Sequence, residues 1–143
     1  MPLTKRLLQL TRIALALVFL LTGISKLADQ ASFAEAIGNF GLLPDALVPA
    51  GALIIALLEV LGGLLLLGGK PLGLWLVTGL MLLFMGVLLY GIQLGLDVDC
   101  GCLGLLDGKQ PATLGSAFLR DIPLLLACIV LILKRRKDRA KGA

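Results

Sequence analysis

The sequence predicts an all-α membrane protein, a four-transmembrane-helix bundle with a short interfacial amphipathic helix between helices 1 and 2. Three observations carry that prediction. Of 143 residues, 59% are hydrophobic and 15% charged, with a mean hydropathy of +1.03; a soluble domain of this size cannot bury so much aliphatic surface. The apolar residues fall into four runs, each close to the ~20 residues that cross a hydrocarbon core. None of the runs shows the alternation that a membrane barrel requires. Low polarity excludes disorder, and three cysteines are too few for a disulfide-stapled secreted scaffold. With no histidine, an imidazole base, a His-bound zinc and an axial haem histidine are excluded. The chain reads as a single membrane domain over residues 1–143.

The first span is expected over 11–27. Lys5, Arg6 and Arg12 before an apolar run imitate a signal peptide. However, Lys26 and Asp29 follow the run, and the nearest Ala-x-Ala, Ala34-Glu35-Ala36, lies far downstream, so the helix is expected to be retained. Between spans one and two, Ser32-x-x-Glu35 has the form of a capping box, Phe33, Ile37 and Phe40 fall at helical spacing, and Gly41 suits a C-terminal cap. This predicts an interfacial helix over 32–40 that closes the mouth of the bundle, with docking of a partner as the alternative. The second span, 47–67, is bounded by Pro44 and by Gly68-Gly69-Lys70-Pro71. The third, 72–96, is long enough to tilt or to project past the hydrocarbon. The fourth, 116–133, is expected to stop at the basic tail 134–143.

Four crossings put both termini on one side. Ten of the 13 basic residues lie there, while Lys26, Lys109 and Arg120 lie opposite with seven of the nine acids. The positive-inside rule therefore predicts cytoplasmic termini and outward-facing loops after spans one and three. The basic tail reads as a topology signal with a contact to anionic lipid, and no nucleic-acid partner is expected.

Cys100-Gly101-Cys102 follows span three on the outward side. Two peptide units span about 7 Å, and a disulfide needs Cα atoms about 4.4–6.8 Å apart, so the pair closes only if the middle residue bends sharply. Glycine makes that bend cheapest. A small, strained, exposed ring is readily reduced, which favours a redox couple over a structural staple. Asp97, Asp99 and the helix C-terminus oppose this by disfavouring the thiolate. An inert pair in a tight turn and a soft-metal thiolate pair are the alternatives.

Glu59 near the middle of span two is a second candidate, since an acid within a span is costly. Ala52, Ala56, Glu59 and Gly63 share one helical face whose small residues allow close packing, so Glu59 is expected to point into the bundle. It serves there either as an interhelical hydrogen bond or in a proton or quinone role. Lys26 is expected to snorkel outward or to pair with a loop acid such as Asp29, Asp97 or Asp99, and Arg120, which opens span four with Asp121, to act as a snorkelling anchor; a charged cluster near the cysteines that tunes their pKa values is the alternative. Cys128 reads as a buried small hydrophobe. Gly62, Gly63, Gly79, Gly86, Gly91 and Gly95 read as helix-packing positions.

In this order the chain resembles the MauE family, related to the DoxX-type membrane proteins. The residues that carry the resemblance are Phe19-x-x-x-Gly23-x-x-Lys26-Leu27, Phe33-x-x-Ala36-Ile37, Leu42-Leu43-Pro44, Glu59 with Gly62-Gly63, and Asp99-Cys100-Gly101-Cys102-x-Gly104. Leu103 stands where the family commonly has an aromatic. The resemblance implies a multi-pass protein of the bacterial inner membrane with Cys-Gly-Cys on the periplasmic side. It further implies thiol–disulfide exchange with a periplasmic thioredoxin-like partner, in maturation of methylamine dehydrogenase or another exported protein. Cys100 and Cys102 would then be the exchanging residues, with Gly101, Glu59, Lys26 and Arg120 in support. The architecture is also similar to that of membrane thiol oxidoreductases of the vitamin K epoxide reductase and DsbB type, but the second cysteine pair of those proteins is missing here. No cofactor is required by this reading, and a quinone is compatible with it. A quinone-linked DoxX-like subunit and a non-catalytic assembly scaffold are the alternatives.

Overall fold

A computed structural model describes residues 2–96 and 114–142. Five α-helices follow in order: α1 Pro2–Ala28, α2 Gln30–Asn39, α3 Val48–Leu67, α4 Pro71–Gln93 and α5 Leu114–Gly142, with a 3₁₀ turn Asp45–Leu47 before α3. No strand occurs among the described residues. Four of the helices are long and apolar enough to cross a membrane, covering Leu3–Ala28, Asp45–Leu67, Pro71–Gln93 and Leu114–Gly142. The all-helical, four-span expectation holds.

Several boundaries differ from those expected, each for a local reason. Helix α1 begins well before residue 11, because its polar first turns are built from good helix formers such as Lys, Arg, Leu and Gln. Helix α2 begins at Gln30, and its N-cap is Asp29: the Ser32 backbone N–H donates to Asp29 Oδ1 at 3.3 Å. Asp29 therefore occupies the cap position assigned to Ser32, and only this one residue separates α1 from α2. Helix α4 ends at Gln93, short of residue 96. Gly95 adopts φ +66° there, and the Leu96 and Gly95 N–H groups donate to Gly91 O and Ile92 O, which closes the last turn. The α3–α4 turn repeats this arrangement with Gly69 at φ +73°. Helix α5 does not stop at the basic tail but carries it to Gly142, since Lys, Arg and Ala favour the helix once it has left the apolar layer.

Helix α3 is central and packs against α1, α2 and α4, while α5 packs mainly on α4 and touches α1. The face Ala52, Ala56, Glu59, Gly63 is buried as expected. Close approach of α1 and α3 explains two glycines. A Cβ at Gly63 would lie 2.8 Å from Leu20 Cγ, and one at Gly23 would lie 2.8 Å from Val60 Cγ2. Gly62 and Gly91 also pack closely. By contrast, a Cβ added at Gly79 or Gly86 would meet nothing within 4 Å, so both face outward, and Gly95 serves the turn. Cys128 is fully buried in the main core cluster, with Leu15, Phe19, Leu66 and Val77. A second cluster joins Phe40, Leu88, Leu114 and Ala117, with Leu96 packed against it. Both described residues that flank segment 97–113 thus belong to one apolar cluster.

Candidate functional site

Four ionisable side chains converge inside the bundle at the end from which segment 97–113 leaves. Lys26 sits two residues before the end of α1, and Glu59 lies about 17 Å along α3 from its start. Lys26 does not snorkel and does not pair with a loop acid among the described residues. It turns inward and donates to Glu59 Oε1 at 2.5 Å, with the two residues 3% and 1% exposed. A long flexible side chain near the end of one helix can reach an acid deep in the next, and pairing removes the penalty of leaving either charge alone in a lipid-surrounded core.

Aromatic rings complete the surroundings of the ammonium. Lys26 Nζ lies 5.0 Å from the Phe33 ring centroid and 4.6 Å from that of Phe84, so α2 and α4 each face it with a ring. Nothing in the sequence pattern marks out either ring as a neighbour of a charge. Helix α5 adds Arg120 and Asp121, with Arg120 Nε 3.7 Å from Asp121 Oδ1. Asp121 is buried. Arg120 is half-buried in the same wall and is not a freely extended anchor.

A cavity of about 40 Å³ lies between these groups, lined by Lys26, Glu59, Thr22, Arg120 and Asp121 together with Phe19 and Phe84. That volume accommodates one or two water molecules among polar partners. Glu59 Oε2 is shielded from solvent and has no hydrogen-bond partner among the described residues, and the neighbouring Thr22 hydroxyl donates to Phe19 O. With all four groups ionised the cluster is formally neutral. It draws on all five helices. The signal available in the sequence was that Glu59 is the acid near the middle of an apolar run, and such an acid needs a partner of opposite sign.

Behind Phe33 and Phe84 lies a larger pocket of about 320 Å³, bounded by α2, α3, α4 and the chain at Leu42 and Leu43. All of its lining side chains are apolar. Phe84 borders both cavities, so its ring partitions the polar cluster from the apolar pocket.

Cys100, Gly101 and Cys102 lie outside the described residues, as do Asp97 and Asp99. Among the described residues there is no group of three or more His, Cys, Asp or Glu that could hold a metal ion. A model of the family described as methylamine utilisation protein MauE matches residues 4–134, which is most of the chain. No curated protein and no solved structure matches the chain.

Proposed function

The chain belongs to the MauE family, and from that premise we propose that it is an inner-membrane thiol–disulfide exchange protein. Its outward-facing Cys100 and Cys102 act on a periplasmic thioredoxin-like partner, in methylamine utilisation or in the maturation of another exported protein. The observation that carries this reading is Cys100-Gly101-Cys102, placed by sequence between two membrane-spanning helices of a MauE-type chain. In the forward direction one cysteine, as thiolate, attacks a sulfur of the partner's disulfide. A mixed disulfide forms and one partner thiolate leaves. The second cysteine then attacks the mixed disulfide, closes the Cys100–Cys102 bond and releases the partner as a dithiol. Two electrons pass to the partner, and the protons of the two cysteine thiols end on its sulfurs. Reversal of the same steps oxidises the partner.

The buried cluster supports this reading by position. It lies beneath the ends of α4 and α5 that anchor the cysteine-bearing segment, and Arg120 and Asp121 stand about 10 Å along α5 from its start. The test is covalent capture. Cys100→Ser and Cys102→Ser, expressed singly in membranes, should leave one variant cross-linked to the thioredoxin-like protein on non-reducing gels. Absence of any adduct from both variants, with both present at wild-type levels, would remove the reading's main support.

Quinone-linked electron transfer is the second reading, favoured by the 320 Å³ apolar pocket. Its lining suits a prenyl tail. A quinone ring needs hydrogen-bond donors, and the nearby ammonium of Lys26 stands behind Phe33 and Phe84. Titration of the reduced protein with quinone, with and without Glu59→Gln, separates this reading from direct exchange.

A further inference from the structure

A second charged cavity lies at the opposite end of the bundle, beside both termini and the α3–α4 turn. It has a volume of about 460 Å³ and receives Lys5 and Arg12 from α1 and Lys134 and Arg135 from α5, against the single carboxylate of Asp138. Arg12 is about 21 Å from Lys26 along α1, so this site is separate from the Glu59 cluster. The two ion pairs among the described residues belong to that other cluster and involve none of these four cations. Arg12 is the most committed of them. Its Nε is shielded from solvent and has no hydrogen-bond partner among the described residues. Its guanidinium rests against the α3–α4 turn, where a Cβ at Gly69 would lie 3.1 Å from Arg12 Nη1.

Gln9 and Gly69 also line it, and the remaining side chains are leucines: Leu66 and Leu74, buried in the core, form its floor, and the half-buried Leu8 and Leu131 stand at its sides. Arg136 lies 5.9 Å from the Trp75 ring centroid at the same end, an aromatic–cation pair of the kind found at a membrane–water interface. The cavity is therefore amphiphilic: cations at the polar level, leucines below. Arginine forks match phosphate oxygens, and basic pockets between spanning helices suit phospholipid headgroups.

We propose that this cavity is a binding site for an anionic phospholipid, whose phosphate sits among Arg12, Lys134 and Arg135 and whose acyl chain runs along Leu8 and Leu131. Charge complementarity selects the anion, and the leucine lining selects a lipid over free phosphate. The tail of α5 is then held against α1 by the lipid as well as by helix packing.

The test is native mass spectrometry of the full chain in detergent, with phosphatidylglycerol, phosphatidylcholine and inorganic phosphate as probes. Phosphatidylglycerol should bind about tenfold more tightly than phosphatidylcholine, and each lining charge removed should weaken it about fivefold. Arg12→Gln tests the arginine whose Nε is shielded, and Lys134→Gln with Arg135→Gln tests the half-buried pair on α5, with helical circular dichroism checking that each variant is folded. Arg139→Gln with Lys141→Gln removes the same charge from the tail outside the cavity and should leave binding within about twofold of wild type. Equal retention of the two lipids, an equal loss in the Arg139/Lys141 variant, or displacement of the lipid by inorganic phosphate would each overturn the proposal.

Discussion

Removing one partner of the Lys26–Glu59 pair should cost far more than removing both. The two side chains are 2% exposed, and the pair spans α1 and α3. At an effective dielectric constant of ~20, charges ~4 Å apart attract by about 4 kcal/mol, and desolvation of both ions consumes much of that gain. Glu59→Leu leaves the ammonium facing two phenyl rings, with Asp121 as the remaining acid of the cluster among the described residues, and Lys26→Met leaves a carboxylate in the core. Each single variant is expected to lose about 3–5 kcal/mol, the usual cost of breaking a buried pair. The double variant Lys26→Met/Glu59→Leu restores an apolar contact of similar volume and should lie within about 1–2 kcal/mol of wild type, on either side. The measurement is a double-mutant cycle on detergent-solubilised protein, following unfolding by helical circular dichroism in a denaturing surfactant. A coupling of at least about 2 kcal/mol is expected. Additive single losses would refute the reasoning, because they would mean that each residue is solvated independently of the other.

Four further outcomes follow from the same geometry. Phe84→Leu, which removes the ring 4.6 Å from Lys26 Nζ, should cost about 1–2 kcal/mol more in the wild type than in a Lys26→Met background, as read by the same unfolding assay. Gly63→Val drives a branched side chain against Leu20 and Ala16 O and should destabilise by about 1–3 kcal/mol, whereas Gly79→Ala on the open face of α4 should be neutral or stabilise by up to about 1 kcal/mol. Cys128, fully buried, should resist a maleimide in the folded protein and react only after unfolding, and Cys128→Ala should leave the proposed disulfide exchange intact. On the proposed reading, in which the cluster positions the cysteine-bearing segment, the folded Lys26→Met/Glu59→Leu variant should exchange disulfides with a thioredoxin-like protein more slowly than wild type in stopped-flow thiol assays.

The fold was legible because lipid leaves little choice. Four apolar runs of spanning length must become helices, and the small-residue spacing around Glu59 named its buried face correctly. Helix ends were less legible, since they depend on competition among neighbouring caps. Asp29 and Ser32 are both good N-cap residues three positions apart, and Asp29 takes the role because α1 runs unbroken to Ala28. Likewise, a span boundary reports where hydrocarbon ends and not where hydrogen bonding ends, so the basic tail continues α5 beyond the apolar layer. The inward turn of Lys26 is illegible for a different reason. Its position near the end of a span is where snorkelling is ordinarily cheapest, and only the relative rotation of α1 and α3 turns it toward Glu59. No periodicity within a single helix encodes that rotation.

A buried Lys–Glu pair is an expensive way to join two helices that leucines would join as well. What an ion pair adds is discrimination, since a register slip of α1 against α3 leaves both charges alone, whereas a slip of a leucine seam costs little. The close contact of Gly23 with Val60 and Glu59 works in the same direction, since only one alignment lets the backbones approach this far. Asp121 and Arg120 extend the constraint to α5, and Phe33 and Phe84 extend it to α2 and α4. The result is a single alignment of five helices at the end where α4 releases segment 97–113 and α5 receives it. A chain that had only to stay in the membrane would not need such a constraint there. One that must present two neighbouring cysteines to a protein partner in a reproducible attitude would gain from it.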